Sequence, residues 1–400
     1  MQGSRFEINT YVVLLLACEV LELTIASGLV LSLFRYVIMI WSFIYYVKTL
    51  SNYQKEPVII KALILFYLSL AIYGIIVVVE GKTFQVGIRN IINVVPLNYI
   101  FKTTWSLLPI FAFYNFAQKG LLTKQYMVKW LYTFATIATI CYIFRMRRSM
   151  MLNEEDEVTN NAGYIVAALV PMFIFLKARS WRQYLFMAGA MLLIFLSMKR
   201  GAILCGLIVA AVYFLYIFKE SKGSTKLGIY IVLIFAAYGT FYVYDRLATT
   251  SAYFRERMED TMEGNSNGRD WIHSFFIDYY LNNYTPTEKL IGRGANSTLE
   301  LLNMFAHNDW IELGINQGLL GMVLYLFFWM AFVRLLLKKE IPPEVKTALL
   351  MIFVIYFLKT FFSMSYSEYN LYSSMTFGYC IAVAYNARNA KRKLHYFNRA

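Results

Sequence analysis

Charge is what this sequence has least of: only 16% of its 400 residues are Asp, Glu, Lys or Arg. A soluble domain carries about 25%, so too few charges remain to solvate a globular surface of this size. Cysteine is scarce as well, with four in the chain, which excludes a small disulfide-stapled scaffold. Cys18, Cys141, Cys205 and Cys380 all fall inside apolar runs and far from any C-x-x-C spacing. They read as packing residues, with neither a metal site nor a disulfide supported. No G-x-G-x-x-G, G-x-x-x-x-G-K-[ST] or H-E-x-x-H occurs, so no phosphate-cradling loop or zinc helix is signalled. What the chain does have is 59% hydrophobic residues, 18% of all residues being aromatic, which excludes disorder. At roughly 20 apolar residues per membrane span, this composition predicts an all-α polytopic membrane protein with about a dozen transmembrane helices in a single domain, 1–400.

Apolar stretches separated by short charged breaks place the spans near 11–27, 29–47, 62–79, 97–117, 128–144, 162–176, 183–197, 201–218, 227–244, 317–337, 347–362 and 371–385. Ala26-Ser27-Gly28 is the one turn signal between the first two; a single long span there would invert every later orientation. Short cytoplasmic loops collect Lys and Arg. With both termini inside, the inner segments hold 21 basic residues and the short outer loops seven, which favours this orientation. The first apolar run carries Glu19 and Glu22 and leads straight into a second, unlike a cleaved signal peptide. Between spans nine and ten runs a polar outer segment, 245–316, expected to be an ordered, mostly helical cap.

The two sides differ in which cation they use. Fifteen of the 21 inner basic residues are Lys, whereas ten of the 13 outer ones are Arg. An insertion signal has no preference for Arg outside, but Arg offers a rigid donor fork suited to phosphate and carboxylate. An anion site at the outer boundary is one reading; pairing of these Arg with acids in the same loops is the other. Lys199-Arg200-Gly201-Ala202 sets two cations in a very short link on the outer side, next to hydrocarbon, where they need an anion or must reach the interface. A lipid-headgroup anchor fits equally. Gly292-Arg293-Gly294 is a turn able to present one guanidinium. Residues 299–316 read as a helix, with His307, Trp310, Ile311 and Gly314 on one face. Glu154-Glu155-Asp156-Glu157 offers hard oxygens for a divalent cation, or is a solvated acidic stretch beside Arg145, Arg147 and Arg148.

At these residues the chain resembles the bacterial O-antigen ligase and polymerase superfamily. His307-Asn308, nine residues, Gly318, two residues and Gly321 match its H-N-x9-G-x-x-G signature. Arg200-Gly201-Ala202, Asn267-Gly268-Arg269-Asp270-Trp271 and Gly292-Arg293-Gly294 are similar to its other motifs and fall in the same order. The resemblance covers about Arg200 to Gly321 and implies a GT-C-like glycosyltransferase on the outer face of the bacterial cytoplasmic membrane. Such an enzyme moves a glycan from polyprenyl diphosphate to a hydroxyl. The acceptor is a lipid-linked repeat in a polymerase, and lipid A-core or a protein hydroxyl in a ligase; a chain-length regulator protein is a partner to expect of a polymerase.

On this resemblance Arg200, Arg269 and Arg293 would stabilise the leaving diphosphate without a metal or other cofactor. His307 would act as general base or bond the diphosphate, with Asn308 or Asp309 orienting it. Lys199, Gly292 and Gly294 complete the expected substrate-binding set. A transporter or flippase is the rival from another class, its clue being charges within spans: Glu19, Glu22, Arg35, Lys102 and Lys359. The net charge of +14 sits on the inner segments as an insertion signal, so no nucleic-acid partner is expected.

Overall fold

The computed structural model describes residues 2–24, 29–86, 92–94, 97–152, 162–176, 181–197, 199–221, 268–367 and 370–397, together with isolated residues between 226 and 259. Eight helices precede residue 221: α1 (Gln2–Thr24), α2 (Leu29–Ser51), α3 (Val58–Val79), α4 (Leu97–Gln118), α5 (Lys124–Leu152), α6 (Ala162–Leu169), α7 (Trp181–Leu196) and α8 (Arg200–Glu220). Six follow residue 268: α9 (Arg269–Asn283), α10 (Pro286–Ile291), α11 (Ser297–Leu302), α12 (Asp309–Leu336), α13 (Pro343–Phe362) and α14 (Leu371–Phe397). Two three-residue strands between α3 and α4, β1 (Phe84–Val86) and β2 (Ile92–Val94), pair antiparallel with Gln85 opposite Asn93. This ribbon departs from the all-helical expectation.

Among the described residues, six helices are long and apolar enough to cross a membrane: 30–51, 58–79, 124–145, 200–220, 309–336 and 343–362. A 22-residue helix such as α3 spans about 33 Å, matching the hydrocarbon core. The side-chain distribution is that of a multi-pass membrane protein. On α2, Leu33, Val37, Ile40, Ile44 and Val47 are exposed, while Ser42 and Thr49 are buried. Apolar groups outside and polar groups inside invert the pattern of a helix in a soluble protein. The expected ninth span, 227–244, lies largely outside the described residues, as does the acidic run 154–157.

Helix α4 runs through the bundle, packed against α2, α3 and α14. Lipid does not surround it, so it tolerates Pro109 and buries Thr103, Thr104, Ser106 and Asn115. Gly378 lets α14 approach its backbone: a Cβ there would lie 2.7 Å from the Tyr114 amide nitrogen. One end of the bundle is tied by Tyr114 Oη donating to Glu56 (2.5 Å), Lys119 with Glu7 (3.7 Å), and Lys124 with Glu344. The other end carries β1, β2 and the short helices α9–α11.

Two expectations are corrected at that end. Residues 299–316 are not one helix. Helix α11 stops at Leu302, Asn303 and His307 have φ of 55° and 53°, and α12 starts at Asp309. The break has a cause: Asn308 Oδ1 accepts the Trp310 and Ile311 amides at 2.9 and 3.2 Å, capping a new helix there. His307 therefore shares no helical face with Trp310, Ile311 and Gly314. The tenth span does not begin at Gln317 either. Helix α12 runs through that point and breaks within itself at Gly318, φ 63° and ψ −156°, a region open essentially to glycine alone.

The break at Gly318 leaves carbonyls of the preceding turn without helical donors. The loop after α10 supplies them: the Arg293 amide donates to Ile315 O (3.3 Å), the Gly294 amide to Asn316 O (3.0 Å), and Tyr284 Oη to Ile315 O (2.9 Å). The approach is so close that a Cβ on Gly318 would lie 2.6 Å from the Gly292 nitrogen, and one on Gly292 would strike the 316–317 backbone. Gly318→Ala is expected to cost about 3 kcal/mol or more. Gly189→Ala, where a Cβ meets nothing within 4 Å, should stay within about 0.5 kcal/mol. Thermal unfolding in detergent measures both, and equal midpoints would contradict the contact.

Candidate functional site

The site is assembled on the C-terminal turn of α13. Gly268, at φ 77°, turns the chain into α9 so that Arg269 is its first residue. The half-buried Arg269 side chain reaches across to donate from Nη1 to Phe362 O at 2.8 Å. Asn308 Nδ2 donates to the neighbouring Phe361 O at 3.3 Å. Gly201, in the first turn of α8, lies so close to the Phe362 ring and the Tyr164 hydroxyl that no side chain fits there. One helical turn earlier in α13, the buried Lys359 ammonium stands 4.6 Å over the Tyr164 ring. Gly201, Arg269 and Asn308, separated by up to 107 positions in sequence, thus meet around Phe361 and Phe362.

Lys199 is the N-cap of α8 and Arg200 its first residue, with no acid in the first turn, so two cations stand at the positive end of that helix dipole. His307 is exposed, three residues before Trp310, whose indole donates to Thr360 Oγ1 at 3.1 Å. Its predecessor Ala306 accepts at its carbonyl from His273 Nε2 (2.9 Å).

The other expected residues sit differently. Asn308 is spent on capping α12 and on Phe361. Asp309 is wholly buried, accepting from Tyr325 Oη at 2.5 Å and the Ser365 amide at 2.9 Å. Arg293 donates to Tyr279 Oη (3.2 Å) and pairs with Glu288 (3.5 Å) and Glu300 (3.8 Å). Burial opposes its charge, and Glu300 with its neighbours outweighs that, holding the proton more firmly than usual. Glu288 closes a capping box with Thr285, whose backbone amide and hydroxyl hold its carboxyl below the ordinary range. That contribution is present above the ordinary Glu pKa and is lost as pH falls through the lowered value. Gly292 and Gly294 serve the docking onto α12. Of the expected cations, Lys199 and Arg200 head α8 and Arg269 heads α9.

Three of the charges suggesting a transport pathway stand over different aromatic rings. Arg35 lies over Phe101 and Trp105 (5.4 and 5.8 Å), Lys102 over Phe305 (5.1 Å) and Lys359 over Tyr164. All four cysteines are buried and none forms a disulfide. Among the described residues no group of three or more His, Cys, Asp or Glu is arranged to hold a metal ion.

Sequence reasoning passed over Glu312. Its buried carboxylate accepts from Thr298 Oγ1 (2.6 Å), the Ala306 amide (2.9 Å) and Asn316 Nδ2 (3.0 Å). It thereby ties the loop bearing His307 to α11 and α12, with the Lys102 charge nearby. Gln317 is likewise buried, accepting from Ser69 Oγ at 2.9 Å, and Gly321 leaves it room: a Cβ at 321 would lie 2.5 Å from the Gln317 Cβ. The available signal was Glu312, Asn316 and Gln317 in an otherwise apolar run. No known protein family matches the chain, and no curated protein matches it.

Glu312→Ala leaves three buried donors without an acceptor and is expected to destabilise by about 3 kcal/mol. Thr298→Val, which removes one donor only, should cost about 1 kcal/mol. Equal, negligible losses in thermal unfolding would contradict this role.

Proposed function

We propose that this protein is a glycosyltransferase that moves a glycan from a polyprenyl-diphosphate carrier to a hydroxyl of a lipid-linked acceptor glycan, as a surface-polysaccharide polymerase of the O-antigen type. The observation that carries the reading is the meeting of Gly201, Arg269 and Asn308 around the end of α13, next in sequence to Arg200 and His307. These are the motif residues shared with the O-antigen ligase and polymerase superfamily, drawn from three distant segments. The reading puts this end of the bundle at the outer face of the bacterial cytoplasmic membrane, with both termini cytoplasmic.

In the reaction the acceptor oxygen attacks the anomeric carbon and the bond from that carbon to the diphosphate oxygen breaks. The leaving diphosphate takes the electron pair. Arg200 and Arg269, with Lys199 beside them, hold the charge that develops there, as fixed cations in a poorly hydrated site do best. His307, the exposed member of its motif, takes the proton from the acceptor hydroxyl. Asn308 and Asp309 act through the scaffold by fixing where α12 starts. Arg293, already balanced by two carboxylates, anchors its loop.

Purified protein in proteoliposomes, given labelled lipid-linked repeat units alone, should build a ladder of products, with EDTA present as without it. Arg269→Lys and Arg200→Lys should each lower the rate about a hundredfold, and His307→Ala at least as much. Transfer only to lipid A-core would make the protein a ligase. Loss with chelator would overturn the metal-free chemistry, and full activity in the two Lys variants would remove the diphosphate role.

A further inference from the structure

Helix α9 carries a second feature beside the cation cluster. Trp271, Phe275 and Tyr279 recur every four residues, so they line one stripe of the helix. Both neighbouring pairs have ring centroids 6.0 Å apart, with planes 32° and 28° from parallel. At that separation near-parallel rings are offset along the helix and not stacked face to face. They make a strip about 12 Å long between its outermost residues. Trp271, the leading ring, is 58% exposed, while Phe275 and Tyr279 are half-buried, with one side packed on the core around the wholly buried Phe276.

Polar groups border the strip. Asp278 and Asn282 stand beside it, bonded to each other at 2.7 Å, and Arg293 donates to the Tyr279 hydroxyl at 3.2 Å. Its Trp271 end begins two residues from Arg269, whose guanidinium lies on the end of α13. An aromatic strip edged by donors and acceptors is a surface for sugar rings: the C–H face of a pyranose packs on the π-face, and its hydroxyls reach the polar edge. A nucleic-acid strand would also stack, but Asp270 and Asp278 on the same helix would repel its phosphates.

We propose that Trp271, Phe275 and Tyr279 form a glycan-binding strip that holds several sugar rings of the chain entering the cation cluster. The inference rests on the transferase reading for the identity of that chain. Full-length protein in nanodiscs is titrated with glycan released by mild acid from the polyprenyl-diphosphate fraction of the source cells. Trp271→Ala should weaken binding about tenfold and Trp271→Phe about threefold or less. Leu281→Ala, at a residue 57% exposed on another face of α9, should bind as the parent does. Trp271→Ala binding as tightly as the parent, or a parent that does not bind the released glycan, overturns the strip. Because binding is read without turnover, a parent that binds but transfers nothing supports the strip while removing the transferase reading. One that transfers while Trp271→Ala binds unchanged removes the strip alone.

Discussion

One backbone-to-backbone contact organises the functional end of this molecule. Gly318 breaks α12 in a conformation that only glycine holds, and Gly292 comes against the break with no side chain between them. The carbonyls of Ile315 and Asn316 then accept from the Arg293 and Gly294 amides. Unmet carbonyls next to a membrane interior are costly, so the break and the loop that covers it stand or fall together. From that anchor the chain runs through α11 to the Glu312 carboxylate, which fixes the loop carrying His307.

The same rule explains the distribution of polar residues in the bundle. Where helices face lipid they are Leu, Ile and Val, as on the exposed side of α2. Where they face each other they carry Ser, Thr, Asn and Tyr in hydrogen-bonded pairs, such as Tyr11 with Ser42 (2.6 Å) and Asn115 with Thr49 (2.8 Å). Each such bond in a dry interior replaces an unsatisfied group. The buried Lys359 finds an aromatic face, as do the half-buried Arg35 and the exposed Lys102.

Hydropathy made the lipid-facing helices legible in the sequence, because their apolar residues run almost unbroken. It was less informative for α4 and α14, whose buried Thr103, Ser106, Ser373 and Thr376 dilute the signal that lipid contact would enforce. The motif glycines were visible as turns, but Gly292 and Gly318 as partners were not, since their contact joins positions 26 apart through the fold. The helix expected over 299–316 failed for a local reason. A period-based reading counts apolar positions and takes no account of Asn308 competing as a cap. Arg293 stood with Arg200 and Arg269 as a diphosphate-binding candidate in sequence, and its pairing with Glu288 and Glu300 shows only in the fold.

Scaffold and site join at one point: the break at Gly318, through the loops seated on it, holds α9 so that Arg269 meets the end of α13 where Gly201 of α8 also packs. Spin labels at Ile277 on α9 and Leu204 on α8, both exposed, report that placement directly through the distance between them. The parent protein should give one narrow distribution, and Gly318→Ala, still helical by circular dichroism, a broad one. An unchanged narrow distribution in Gly318→Ala would contradict the dependence of the site on the break.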